Sequence, residues 1–98
     1  MTIEIKRTPE EATIKLVGRL DTITAPSLEK TINEDIADAK NLVLDLKDLE
    51  YISSAGLRVI LSAQKKFQKL GYMKVTNVCE EIIAVFEMTG FADILEIK

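Results

Sequence analysis

The sequence predicts an α/β domain, a mixed β-sheet in the order β-β-α-β-α-β-α-β with helices packed mainly on one face. The first two apolar segments alternate with a period of two and are joined by a short turn, which is typical of an antiparallel hairpin. After them, segments with helical spacing alternate with short apolar segments, which indicates right-handed crossovers between parallel strands. At 98 residues, the chain is expected to form a single domain, residues 1–98.

The N-terminal segment predicts a β-hairpin. Ile3 and Ile5 alternate with polar residues, and the same alternation continues over Ala12–Val17. The polar segment Arg7–Glu11, which contains Pro9, is the expected turn. Two half-buried strands joined so closely should pair in antiparallel fashion.

A helix and a buried strand are expected next. Thr24 is a plausible N-cap, and Pro26 fits the first turn because its missing N–H has no helical partner there. The helix would carry an apolar stripe made of Leu28, Ile32, Ile36 and Ala39. Leu42–Leu46 is nearly continuous apolar sequence, which is typical of a strand covered on both faces.

The second half of the chain predicts two more helices and two more strands. A long helix ends at Gly71, a strand follows over Tyr72–Val78, and a short helix over Glu80–Met88 ends at Gly90. The long helix would bury one apolar face, composed of Gly56, Val59, Ile60, Ala63, Phe67 and Leu70. The short helix would turn inward Ile82, Ile83 and Phe86. A last strand, at or near the sheet edge, would contain Ile94, Leu95 and Ile97.

Composition narrows the classes of function. The net charge is −3 and the basic residues are scattered, which argues against nucleic-acid binding. The chain has no histidine, so Ser-His and Cys-His catalytic pairs and the commonest zinc ligand are missing. Cys79 is the single cysteine, and no apolar run approaches the roughly 20 residues of a membrane span. We therefore expect a cytoplasmic binding protein without a cofactor, metal site, catalytic activity or membrane insertion. The alternative that the composition leaves open is a magnesium site built from carboxylates alone.

The segment Ser53-Ser54-Ala55-Gly56 stands where a buried strand gives way to a helix. The simplest interpretation is that Ser54 caps the helix. Gly56, however, costs about 1 kcal/mol relative to alanine inside a helix, so close packing on the sheet or a partner's approach should offset it. Small side chains also leave the helix start open, and such a start favours anions such as phosphate.

Three segments resemble one family. The run from Leu44 to Leu57 is similar to the signature of STAS domains, specifically of bacterial anti-sigma factor antagonists. The family's Gly-x-Leu-Asp element is matched by Gly18-Arg19-Leu20-Asp21. The segment from Phe86 to Phe91 resembles the family's motif before the last strand. The resemblance covers essentially the whole chain and implies the STAS fold.

The resemblance also implies a phosphate acceptor and a partner. Family members carry Asp-Ser before a small residue and glycine, and that serine is phosphorylated. Aligned on Gly56, the acceptor is Ser54, while Ser53 occupies the aspartate position and is the second choice. The unmodified protein would bind an anti-sigma factor that is a serine kinase, phosphorylation would end binding, and a phosphoserine phosphatase would restore it. The implied partner-binding residues are Asp21, Thr22, Ser53, Ser54, Ala55, Gly56 and Arg58.

Other functions compete with this hypothesis. STAS-like domains also serve as accessory subunits of lipid-transport ABC complexes or as docking modules without phosphoregulation, and fold alone does not separate these functions. Catalysis by Ser54 would need a nearby base, for which only a lysine such as Lys47 is present. Binding of a nucleotide or another small ligand is supported only by the helix N-terminus, whose free N–H groups favour anions.

Overall fold

A five-stranded mixed β-sheet organises the protein, which a computed structural model describes over residues 1–97. The hairpin strands β1 (Thr2–Arg7) and β2 (Glu11–Leu20) pair in antiparallel fashion. Strands β3 (Asn41–Ile52), β4 (Met73–Thr76) and β5 (Glu96–Ile97) then add in parallel, each beside the strand before it. The strands therefore lie in the sheet in the order of the sequence, with β1 and β5 at its edges.

Helices connect the parallel strands. Helix α1 (Ala25–Lys30) continues into a wider π-helical turn, Thr31–Asp35, between β2 and β3. Helix α2 (Ser54–Leu70) links β3 to β4, and helix α3 (Glu80–Thr89) precedes β5. This element order confirms the predicted α/β fold. Within residues 1–97, no helix is long and apolar enough to cross a membrane.

One face of the sheet is buried beneath the helices. On β3, Leu42, Leu44 and Leu46 are buried, whereas Val43 and Asp45 between them are only half-buried. The expectation that this strand is covered on both faces is therefore wrong. Its leucines pack toward the helices, and its other face, with Val43 and Asp45, stays partly open because the helices lie mainly on one side.

The first helix is shorter than its apolar stripe suggests. All four stripe residues are buried, but regular α-helix ends at Lys30. The Thr31 hydroxyl donates a hydrogen bond to the Ser27 carbonyl at 3.0 Å, and the Ile36 N–H reaches back to the Thr31 carbonyl at 3.2 Å. Such back-bonding by a threonine bends helices, and a bond to the fifth residue back defines the wider turn.

The C-terminal elements differ from the prediction in extent. Strand β4 ends at Thr76 because Asn77 has a left-handed backbone conformation, φ +56°, that breaks the extended pairing. Residues Phe91–Asp93 form a 3₁₀ turn, so the last strand begins only at Glu96. In the last turn of α2, Leu70 is 49% exposed rather than turned inward, and Ile83 of α3 is half-buried.

Candidate functional site

Ser53 caps helix α2 at the end of β3. Its backbone is extended, with φ −96° and ψ 173°, and its Oγ accepts a hydrogen bond from the Gly56 N–H at 3.3 Å. Its own N–H donates to the Leu20 carbonyl at 2.9 Å, and its carbonyl accepts from the Leu57 N–H at 2.9 Å. The interpretation of Ser54 as the cap is therefore wrong. Serine and aspartate are equally good caps, so Ser53 performs the capping that an aspartate at this position would perform.

Ser54 is the first residue inside helix α2. Its side chain is exposed, and its hydroxyl makes no hydrogen bond to residues 1–97. The first backbone N–H groups of a helix have no helical partner, and they carry positive partial charge. Ser54 therefore presents a free hydroxyl at a position where the fold tolerates negative charge.

Gly56 lets helix α2 approach the end of β2. A Cβ atom at this position would lie 2.7 Å from Cγ of Leu20 and 3.0 Å from the Leu20 carbonyl oxygen. Because both residues are buried, close helix–sheet packing accounts for the glycine. Gly56 is thus buried beneath the start of α2 and cannot itself lie on the protein surface.

Asp21 organises the loop between β2 and α1. Its Oδ1 accepts hydrogen bonds from the backbone N–H groups of Ile23 and Thr24, both at 3.0 Å. These bonds, led by the one from Thr24, lower the pKa of the Asp21 carboxyl because they stabilise its charged form. The Thr24 hydroxyl accepts the Asp21 N–H at 2.8 Å and donates to the Arg19 carbonyl at 2.7 Å. Thr24 therefore precedes α1 as predicted, but its side chain orders the loop and does not cap the helix.

Two features near this loop escaped the sequence-based prediction. Ile23 is 86% exposed, held outward by the turn that Asp21 closes. Arg19 lies across from Tyr51 on the neighbouring strand, with its guanidinium 4.2 Å from the ring centroid and its Nε 4.0 Å from the Asp21 carboxylate. The alternation of residues along β2 and β3 could have predicted that Arg19 lies on the same face as Tyr51. No sequence pattern predicts the exposure of Ile23.

A shallow groove of about 400 Å³ runs between α1 and α2, beside Ser54. It contains three of the predicted partner-binding residues, namely Thr22, Ala55 and Arg58. The remaining lining residues are Ala25, Pro26, Glu29, Val59 and Ser62. Within the described part of the chain, no cluster of three or more His, Cys, Asp or Glu residues is arranged to hold a metal ion.

The structure thus divides the predicted site residues among three environments. Ser53 and Ser54 form the start of α2, and Thr22, Ala55 and Arg58 line the groove beside it. Asp21 is half-buried, with Oδ1 engaged inside its own loop, and Gly56 is buried. The groove and the helix start together form one surface at the end of the sheet, which we call the α1–α2 surface.

This fold and this surface define a class of protein. A model of the STAS domain family matches residues 2–98, so the chain belongs to the STAS domain family. It is 31% identical to the anti-sigma-B factor antagonist of Listeria monocytogenes, over all of this chain and 89% of that protein. It is 29% identical to the anti-sigma-B factor antagonist of Bacillus subtilis, over all of this chain and 91% of that protein. A crystal structure of an anti-sigma factor antagonist from Mycobacterium paratuberculosis superimposes with a TM-score of 0.87 at 25% identity, covering 98% of this chain and 83% of that one.

Proposed function

We propose that this protein is an anti-sigma factor antagonist controlled by phosphorylation of Ser54. Its unmodified form binds an anti-sigma factor that is also a serine kinase, and binding releases the sigma factor. The names of its relatives and its coverage of nearly their whole length support this assignment. Phosphorylation by the bound kinase ends the complex, and a phosphoserine phosphatase returns the protein to its binding form.

The different environments of Ser53 and Ser54 support the choice of Ser54 as the phosphate acceptor. Ser53 is half-buried, and its Oγ is occupied by the capping bond to Gly56. Ser54 is exposed, and its hydroxyl is not used by the fold. A kinase can therefore reach the Ser54 hydroxyl without disturbing the helix start, whereas the Ser53 Oγ is half-buried and already accepts the capping bond.

Charge gives the physical mechanism of the switch. A phosphoserine adds about −1.5 to −2 charges and three acceptor oxygens. Buried without a counter-charge in an interface, such a group costs several kcal/mol, and each 1.4 kcal/mol weakens affinity about tenfold. One phosphate at Ser54 therefore suffices to dissolve a tight complex, and no refolding of the domain is needed.

The α1–α2 surface and the exposed Ile23 of the loop before α1 supply the remaining contacts of the proposed interface. Exposed Ile23 offers an apolar anchor, and Arg58, one helical turn after Ser54, offers a cation for a carboxylate on the partner. Asp21 contributes indirectly, by holding the loop that carries Ile23 and Thr22. Gly56 contributes by seating α2 against Leu20.

A phosphate-transfer assay tests the acceptor assignment. The purified wild type, Ser54→Ala and Ser53→Ala are each incubated with ATP and candidate anti-sigma serine kinases purified from the native host. We expect incorporation into the wild type and Ser53→Ala, and none into Ser54→Ala. Incorporation that persisted in Ser54→Ala would show that Ser54 is not the acceptor.

A further inference from the structure

The outer edge of β1 leaves backbone groups unpaired along the whole strand. The strand is six residues long, contains no proline and pairs with β2 without a bulge. Over the described residues the opposite edge strand, β5, is two residues long. Natural proteins shorten, bulge, interrupt or charge exposed edges because unpaired N–H and C=O groups invite another strand. β1 carries none of these interruptions, and the charges of Glu4, Lys6 and Arg7 are its protection.

The hairpin geometry shows which backbone groups face outward from β1. The N–H of Thr8, directly after the strand, donates to the Glu11 carbonyl at 2.9 Å and so points toward β2. In an antiparallel pair, successive residues alternate between pointing toward and away from the partner strand. The outward groups of β1 are therefore those of Ile3, Ile5 and Arg7.

The side chains of β1 are sorted in the same alternating way. Ile3 and Ile5 pair with the buried Leu16 and Ile14, so they lie on the core face of the sheet, where Ile5 is still 40% exposed. Glu4 pairs with Lys15 on the open face, and Lys6 lies on that face as well. The edge therefore presents an uncovered isoleucine on one face and two opposite charges on the other.

We propose that β1 pairs with β1 of a second copy, in an antiparallel register centred on Ile5. This register joins the outward groups of Ile3, Ile5 and Arg7 in about six hydrogen bonds. It places Ile5 against its own copy on the core face. On the open face, Glu4 of each copy lies opposite Lys6 of the other.

The charges select this register among the symmetric alternatives. A register centred on Glu4 would oppose two glutamates, and registers centred on Lys6 or Arg7 would oppose two cations, which is unfavourable for residues directly across from each other. A register centred on Ile3 would shorten the overlap. The Arg7 side chain does not block the edge, because it is turned to Asp38 at 2.7 Å and to the Pro9 carbonyl.

The resulting dimer is a ten-stranded continuous sheet held by a small interface, and its association is weak and reversible. Strand β2 separates β1 from β3, and Ser54 lies beyond β3 at the start of α2, so pairing leaves the α1–α2 surface uncovered. This inference does not depend on the proposed partner switch.

Charge reversal tests the register. Sedimentation equilibrium over a wide concentration range compares the wild type, Glu4→Lys, Lys6→Glu and the double exchange. Each single variant opposes like charges twice, and we expect its dimer dissociation constant to rise at least about tenfold, or about 1.4 kcal/mol. The double exchange and an equimolar mixture of the two single variants restore opposite pairs and should dimerise like the wild type. Unaltered dimerisation of both single variants would overturn the register.

Amide hydrogen exchange on the wild type gives a second measurement that needs no variant. As protein concentration rises, the amides of Ile3, Ile5 and Arg7 should become protected, because they face the second copy. The amides of Glu4 and Lys6 already face β2 and should not change. A wild type that stays monomeric, with outward amides exchanging equally fast at every concentration, would overturn the proposal.

Discussion

Replacing Gly56 by alanine tests how helix α2 is seated on the sheet. Inside a helix this change normally stabilises by about 1 kcal/mol, because alanine has the higher helix propensity. Here the new Cβ would lie 2.7 Å from Cγ of Leu20 and 3.0 Å from its carbonyl oxygen. Overpacking of this kind costs about 1–3 kcal/mol, so we expect a net destabilisation of about 1 kcal/mol.

A double-mutant cycle assigns the loss to the contact. Leu20→Ala removes the Cγ and Cδ2 atoms but keeps the carbonyl oxygen, and by itself costs about 2–5 kcal/mol as a buried leucine. On that background Gly56→Ala should cost about 1 kcal/mol less than in the wild type. Ala55→Gly serves as the matched control for helix propensity at the neighbouring position.

Urea unfolding monitored by circular dichroism measures all four variants and the wild type. The m-value is the slope of the unfolding free energy against urea concentration. Free energies of unfolding are compared only between variants with the same m-value, because a changed m-value signals a changed unfolded or folded state. If Gly56→Ala stabilised the wild type by the full propensity gain, the close approach of α2 to Leu20 would be refuted.

The remaining predictions concern the start of α2 and the loop before α1. Ser53→Ala should lower the free energy of unfolding by about 0.5–2 kcal/mol through loss of the cap, while Ser54→Ala should change it by less than about 0.5 kcal/mol. Equal losses of both variants in urea titrations would contradict the assignment of Ser53 as the cap. Ser54→Asp should raise the stability of the free domain by about 0.3–1 kcal/mol, because it adds negative charge at the helix start one turn before Arg58; a lower thermal midpoint than Ser54→Asn would contradict this. The Asp21 carboxyl should titrate below its ordinary pKa of 3.8, so its stabilising bonds persist above that pH and are lost as pH falls through the lowered value; a carbon-13 titration midpoint at or above 3.8 would contradict this.

The sequence predicted the element order because each element carries its own periodicity. Alternation marks the hairpin, and helical spacing marks α2 and α3. Boundaries depend on tertiary detail that the pattern does not contain. The threonine back-bond that widens the helix at Thr31 and the left-handed Asn77 that ends β4 are such details.

The candidate site was predictable in its position but not in its chemistry. Two serines at a strand–helix junction indicate a helix start, but only backbone geometry shows that Ser53 rather than Ser54 is the cap. Gly56 was expected to allow a close approach, and the structure identifies Leu20 as what it approaches. The outward turn of Ile23 follows from hydrogen bonds to Asp21 that no periodicity encodes.

Affinity capture from the native host's lysate tests the partner switch most directly. The baits are the wild type, Ser54→Asp and its uncharged control Ser54→Asn. We predict that a serine-kinase-type ATPase is captured by the wild type and Ser54→Asn, and that Ser54→Asp loses it. Equal capture of that ATPase by Ser54→Asp, or capture of transporter subunits by every bait, would contradict a switch at Ser54.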